Sequence, residues 1–185
     1  AIPLHDTRAM QGELRVIGLS YVSSPVEVRE RLSAGPEGSG ALAKQILNSM
    51  GLEQTLVLST CSRFEVYAAG ELNALDRIPG WLEERAGRSL KGSLYMKGGR
   101  EAARHLFRVA SGLDSWIVGE SEILGQVKSA YQQACALKTV GRSLHLGFQR
   151  AAYVGKRVRS QTAIVGGISS IGGAAAMLAK RIFSD

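Results

Sequence analysis

The sequence predicts an α+β fold: a ferredoxin-like antiparallel sheet with packed helices, followed by a helical segment and a long connecting helix. Three observations predict it. Apolar patterning in the first half runs β-α-α-β-β-α-β, an order that lays helices on a sheet rather than winding a parallel one. Two strand-like runs are separated only by Ser59 to Arg63, which points to an antiparallel hairpin. From Gly98 onward the apolar residues recur at helical spacing.

Residues 1–12 read as a flexible tail. An α+β domain is expected over 13–140, and a connecting helix over 141–185. Leu14-Arg15-Val16-Ile17-Gly18-Leu19 is the first strand. Ser24-Pro25-Val26-Glu27 then starts a short helix, with serine as N-cap and proline at the first helical position; it ends near Ser33-Ala34-Gly35-Pro36. A second helix runs from about Ser39 to Met50, with Ala43, Ile46, Leu47 and Met50 on one face and Gly51 closing it. Leu56-Val57-Leu58 reads as a buried strand. Phe64-Glu65-Val66-Tyr67-Ala68 alternates, as a half-buried strand should. One helix is expected over 73–86, although Pro79 falls inside it. A short strand follows at Ser93-Leu94-Tyr95-Met96. Later helices are expected over 101–111, 120–137, 142–162 and 169–183, with Gly166-Gly167 as a break.

The chain has 185 residues, 45% of them hydrophobic, enough to bury a core and far from disordered or collagenous compositions. Its net charge is +7 and its pI about 9.7. A basic surface attracts polyanions such as tRNA, although surplus surface lysine and arginine is the plainer reading. Cys61 and Cys135 are too few for a disulfide framework, and reduced thiols in a cytosolic protein fit better. The N-terminus lacks a basic segment followed by an apolar run, and charges interrupt every apolar stretch. No membrane association is expected, and the cytoplasm is the default compartment.

Cys61 follows an apolar strand and precedes Arg63. A thiol at the mouth of a tight strand connection is accessible while its backbone is held, and a guanidinium two residues on favours the reactive thiolate. Most free cysteines are small buried hydrophobes, but the polar neighbours Ser59, Thr60, Ser62 and Arg63 make a poor hiding place for an inert thiol. Cys135 lies on a helix in Gln132-Gln133-Ala134-Cys135-Ala136-Leu137, where packing is the better reading. His5, His105 and His145 are scattered, without metal-ligand spacing.

Ser59-Thr60-Cys61-Ser62-Arg63 resembles the S-T-C-N-R signature of the glutamyl-tRNA reductases. Three further matches occur in the family's order. The first is Gly18-Leu19-Ser20-Tyr21 with Pro25-Val26-Glu27-Val28-Arg29-Glu30-Arg31-Leu32. The second is His105-Leu106-Phe107-Arg108-Val109-Ala110-Ser111-Gly112-Leu113-Asp114-Ser115, with Val118-Gly119-Glu120 and Ile123-Leu124-Gly125-Gln126-Val127-Lys128. The third is Lys156-Arg157-Val158-Arg159-Ser160-Gln161-Thr162-Ala163-Ile164, similar to the family's connecting helix.

The resemblance implies reduction of glutamyl-tRNA to glutamate-1-semialdehyde with NADPH, the first step of tetrapyrrole (haem and porphyrin) biosynthesis. Cys61 would attack the aminoacyl ester, release tRNA and hold a glutamyl thioester for hydride reduction. His105 matches the family's functional histidine and would move a proton or orient the ester; a structural histidine is the alternative. Thr60, Ser62, Arg63, Ser115, Glu120, Ser121, Glu122 and Gln126 are implied to form the glutamate pocket. Arg63 suits the substrate carboxylate, since its planar fork binds two oxygens. Glu120 would hold the ammonium or simply favour a helix start; Ser115 would bind substrate or cap a turn. Four positions depart from the family pattern: Ser62 stands for asparagine, Tyr21 for histidine, Glu122 for glutamine, and Met96-Lys97 for a segment that often carries another histidine.

The family continues into a Rossmann-type NADPH domain and a helical dimerisation domain, so a full-length form is expected to be a homodimer. The chain ends near where the next strand is expected, as the start of a truncated cofactor domain. The cluster Gly166-Gly167-Ile168-Ser169-Ser170-Ile171-Gly172-Gly173 lacks GxGxxG spacing. No cofactor-binding residue is therefore expected here, and thioester formation with esterase activity on glutamyl-tRNA is the expected remainder. The compartment would be the plastid stroma for a plant-type source. A catalytically weak tRNA- or protein-binding module is the competing reading, with Arg150, Lys156, Arg157 and Arg159 as phosphate contacts. A redox-sensing thiol would need a resolving cysteine, for which Cys135 is poorly placed.

Overall fold

Four strands, β1 (Arg15–Ser20), β2 (Gln54–Ser59), β3 (Arg63–Ala69) and β4 (Tyr95–Gly98), form one sheet in the order β2-β3-β1-β4. The computed structural model describes residues 14–34, 38–165 and 171–183; the tail expected over 1–12 and the break expected at Gly166-Gly167 lie outside them. Every pairing is antiparallel, and β2–β3 is the hairpin that the short connection demands. This is the ferredoxin-like sheet expected from the element order.

The helices are α1 (Val26–Leu32), α2 (Gly38–Met50), α3 (Leu72–Leu75), α4 (Ile78–Ala86), α5 (Gly99–Ala110), α6 (Glu122–Ala136), α7 (Arg142–Gln161) and α8 (Ile171–Phe183), with a 3-10 turn at Ala163–Val165. Two expectations shift locally. The α1 cap is Pro25, in extended conformation, rather than Ser24. The single helix expected over 73–86 is split into α3 and α4, and Pro79 falls in the first turn of α4, where its missing N–H has no helical partner to lose. Among the described residues no helix is long and apolar enough to cross a membrane.

Both faces of the sheet are covered. Ile17, Leu19, Val57, Phe64 and Val66 pack against α1, α2 and α4 through Val28, Leu32, Ile46 and Leu82. Val16, Leu56, Leu58 and Tyr67 face the other way, toward Leu106 of α5, Val127 of α6 and Phe148 of α7. Leu144, Phe148 and Ala151 belong to this second core, so the connecting helix begins inside the globular unit. The double cover corrects one expectation. β3 is buried at every position, not on one face only, because α5 to α7 roof the side on which Arg63, Glu65 and Tyr67 project.

That roofing puts a charged carboxylate inside the molecule, and Gly18 makes the space for it. Gly18 lies opposite Glu65 on β3 and Tyr95 on β4. A Cβ there would meet the Phe64 carbonyl oxygen at 2.5 Å and Glu65 Cγ at 2.9 Å, and backbone cannot yield as a flexible side chain can. Gly18→Ala is expected to lower unfolding free energy by about 3 kcal/mol, the upper part of the overpacking range, measured by urea denaturation. A loss under about 0.5 kcal/mol, the size of an ordinary surface substitution, would show that Glu65 does not need this gap.

Candidate active site

One carboxylate organises the interior. Glu65 is 0% exposed, yet its two oxygens meet four polar groups. Arg63 donates from a terminal nitrogen to Oε1 at 2.8 Å, and Tyr95 donates to the same oxygen at 2.5 Å. His105 Nε2 lies 2.7 Å from Oε1, and Tyr67 donates to Oε2 at 2.6 Å. Burial alone would push the Glu65 carboxyl up; the Arg63 guanidinium and the His105 and Tyr67 hydrogen bonds outweigh it and hold the group well below the usual carboxylate range. Burial opposes the Arg63 charge as well, but Glu65 beside it raises its pKa. Both phenols are pushed up, by burial first and then by the Glu65 charge, so they remain donors.

An ionised carboxylate only accepts hydrogen bonds. His105 Nε2 must therefore carry a hydrogen, which fixes the neutral tautomer and leaves Nδ1 as the acceptor. Nδ1 lies 3.8 Å from Asp114 Oδ2, at a cavity of about 310 Å³ lined by Tyr21, Arg63, Tyr95, Lys97, His105 and Asp114, among others. A second depression of about 240 Å³ adds Arg104 and Arg108 around the same histidine. The imidazole is thus 9% exposed, held from behind and open in front.

Arg63 is not a free anion hook. It is 1% exposed, and its second terminal nitrogen donates to the Asp114 carbonyl at 2.5 Å. Its Nε lacks a hydrogen-bond partner, as does Ser115 Oγ, and both atoms are buried.

Cys61 occupies the tip of the β2–β3 turn and is exposed. Thr60 builds the turn: its backbone N–H donates to the Arg63 carbonyl at 2.9 Å, and its Oγ1 accepts from the Ser62 and Arg63 amides at 3.2 Å each. The Ser62 side chain turns inward, 3.3 Å from Thr60 Oγ1. Arg29, rather than Arg63, reaches the cysteine, its Nε donating to the Cys61 carbonyl at 3.2 Å and a terminal nitrogen to the Ser24 carbonyl. Cys61, Thr60, Ser59, Arg29 and Glu30 line a groove of about 260 Å³.

The segment between α5 and α6 closes the site. Gly112 and Gly119 adopt φ +76° and +84°, a region that favours glycine, and the Gly119 amide donates to the Gly112 carbonyl at 2.9 Å. Arg159 of α7 clamps this segment from outside, donating to the Gly119 carbonyl at 3.3 Å and to that of Glu120. Glu120 is half-buried there. Ser121 and Glu122 are exposed at the start of α6, with Gln126 half-buried one turn on. None of the four lines the Cys61 groove or the His105 cavity, whereas Thr60, Cys61, Arg63 and His105 each line one of them. Cys135, expected to be buried, is half-buried on α6. Among the described residues no cluster of ligating side chains could hold a metal. Sequence reasoning missed Glu65, Tyr67, Tyr95, Asp114 and Arg29. Only Arg29 carried a signal, since it shares the inward register of Val28 and Leu32 on α1.

A family model described as "Glutamyl-tRNAGlu reductase, N-terminal domain" matches residues 17–162. A glutamyl-tRNA reductase of Syntrophotalea carbinolica is 44% identical over 92% of this chain and 40% of its own length. One of Aquifex aeolicus is 40% identical, over 94% and 43%. The solved structure of glutamyl-tRNA reductase from Methanopyrus kandleri superposes with a TM-score of 0.74 at 42% identity, over 91% of this chain and 39% of that one. The chain thus spans about two fifths of the length of these relatives.

Glu65→Gln removes the counter-charge and leaves the Arg63 guanidinium buried. It is expected to cost about 3–5 kcal/mol, as breaking a buried pair does, whereas joint replacement by Arg63→Met and Glu65→Leu regains most of that. Urea unfolding of the three proteins measures both. Because Glu65 titrates below its unfolded value of about 4.3, the pair's stabilisation is complete above that pH and declines as pH falls toward the folded value. Wild type is therefore expected to lose stability relative to the apolar double variant on acidification below about pH 4.

Proposed function

This chain belongs to the glutamyl-tRNA reductase family, as its N-terminal domain, and from that premise we propose that it performs the acyl-transfer half of the family's chemistry. The observation that carries the reading is an exposed thiol on a rigid strand turn in a chain whose interior holds a histidine with its tautomer fixed by a buried carboxylate. The Cys61 thiolate attacks the carbonyl carbon of the glutamyl ester. The tetrahedral intermediate collapses by breaking the bond to the ribose oxygen of tRNA, which leaves as a hydroxyl after taking a proton. The product is a glutamyl thioester on Sγ. His105 Nδ1, facing the cavity, is assigned to take the Cys61 thiol proton as the thiolate forms and to return it to the leaving ribose oxygen, and Arg63 and Ser115 are assigned to the substrate side of the site. Water reaching the thioester releases glutamate, so the expected activity is esterase turnover of glutamyl-tRNA. Thr60 and Ser62 shape the turn; Glu120, Ser121, Glu122 and Gln126 are assigned to the glutamyl ammonium side.

NADPH is a poor fit to these residues. A dinucleotide needs the glycine-rich turn of a parallel βαβ unit, and among the described residues the sheet is wholly antiparallel. Reduction and subunit pairing are assigned to the part of the relatives that this chain does not span.

Incubation with glutamyl-tRNA labelled in the amino acid is expected to leave acid-stable label on wild type and none on Cys61→Ser. His105→Asn is expected to slow labelling by about a hundredfold or more, the usual scale of a lost acid–base group. Bound tRNA without transferred label would support the binding-module alternative and discard the acyl-transfer reading.

A further inference from the structure

The rim of the His105 cavity carries an aromatic pair that the chemistry above leaves unused. Tyr21 and Trp116 stack with ring centroids 5.8 Å apart and planes 17° from parallel. Trp116 is 68% exposed, and Val22, Val118 and Leu113 beside these two in sequence are 78%, 58% and 40% exposed. Single exposed apolar residues are ordinary, but an exposed indole stacked on a tyrosine, with further exposed apolar residues next to both in sequence, is a surface that gains by being covered.

The pair touches both halves of the site. The Tyr21 amide donates to the Ser62 carbonyl at 2.8 Å, next to Cys61, and its hydroxyl donates to the Ser115 carbonyl at 3.4 Å. Tyr21 and Val22 line the cavity that contains Arg63, His105 and Lys97. In an aminoacyl-tRNA the acyl group is esterified to the ribose of the terminal adenosine, so the adenine lies one sugar away from the carbon that a nucleophile attacks. Whatever receives that base must sit at the mouth of the acyl site and offer a flat π-face, with cations near for the flanking phosphates. Lys97 lies on the same cavity wall, and the chain carries a net charge of +7.

We infer that Tyr21 and Trp116 form a stacking platform for the base of the 3′-terminal adenosine of the charged tRNA. The inference rests on the acyl-transfer reading for its substrate, and it adds a nucleobase subsite to that site. Tyr21 orders the indole and ties it to the cysteine turn; Trp116 offers its exposed face to the base.

Trp81→Phe leaves Trp116 as the sole tryptophan of the chain's two. Titration of that protein with a short single-stranded oligoribonucleotide ending in adenosine is expected to quench indole fluorescence. The same oligonucleotide with an abasic 3′ residue is expected to quench severalfold less at equal concentration. In turnover, Trp116→Ala is expected to lower the ratio of kcat/KM on glutamyl-tRNA to kcat/KM on a glutamyl alkyl ester about tenfold, through KM, and Trp116→Phe to restore most of it. Equal quenching by both oligonucleotides overturns the platform. So does no quenching by either, the result expected if the patch covers a protein surface, or a ratio unchanged within twofold. Loss of the acyl-transfer reading is seen separately, as ester turnover that survives Cys61→Ser, and the fluorescence titration does not depend on it.

Discussion

A carboxylate sealed at 0% exposure is the constraint from which the rest of the site follows. An uncompensated ion in such a place costs several kcal/mol, so Glu65 persists only because its surroundings were built for it. The donors come from different parts of the chain: Arg63 and Tyr67 from β3, Tyr95 from β4, His105 from α5. Arg63 extends the network to the Asp114 carbonyl and so to the segment that carries Ser115. Gly18, between Glu65 and Tyr95 in the sheet, surrenders its side chain to make room. One charge thereby fixes the relative positions of two strands, a helix and a loop, and the histidine is presented with Nε2 tied to Glu65 and Nδ1 toward the cavity, 3.8 Å from Asp114.

The proposed nucleophile is held in the opposite way. Cys61 is exposed, and its rigidity comes from backbone alone, through Thr60 Oγ1 and the turn it closes. Arg29 holds the Cys61 carbonyl from α1, which couples the turn to the first core and not to the charged one. Preorganisation therefore has two independent sources, a polar network under the histidine and a capped hairpin under the thiol. They meet at Tyr21, whose amide binds the Ser62 carbonyl and whose ring leans on Trp116.

How far the molecule was legible from its residues depended on the range of the interaction. The hairpin, the amphipathic α5 and α6 and the accessible cysteine all follow from patterns a few residues long, and all are present. Pro79 was legible as a conflict and resolves as a helix start. Glu65 was misread because an alternating Phe-Glu-Val-Tyr-Ala run is the normal mark of a strand with one wet face. Only the tertiary cover supplied by α5 to α7 turns that face into interior, and nothing within the strand announces it. Arg63 shows the same limit: its residue type suits a substrate carboxylate, but two of its nitrogens are committed to Glu65 and Asp114. The contact between Tyr21 and Trp116 joins segments that are remote in sequence, where periodicity is silent.

The same reasoning bears on the basic charge, which by composition alone suggests a polyanionic partner. Several of the arginines are spent on the fold. Arg29 and Arg63 are buried, Arg159 clamps the α5–α6 segment, and Arg108 pairs with Asp114 through both carboxylate oxygens. Many others stay at the surface on several elements, among them Arg77, Arg85, Arg100, Arg150, Lys156 and Arg157, while Lys97 lies half-buried on the wall of the His105 cavity. Arg104 is only loosely engaged, 3.9 Å from Glu101 with both side chains exposed, a pairing worth little in water. Arg104 beside His105 and Lys97 on the cavity wall put cationic groups at the mouth, and such groups attract a charged strand end. On the proposed reading, charge attracts the strand end, and the aromatic pair and the histidine receive it.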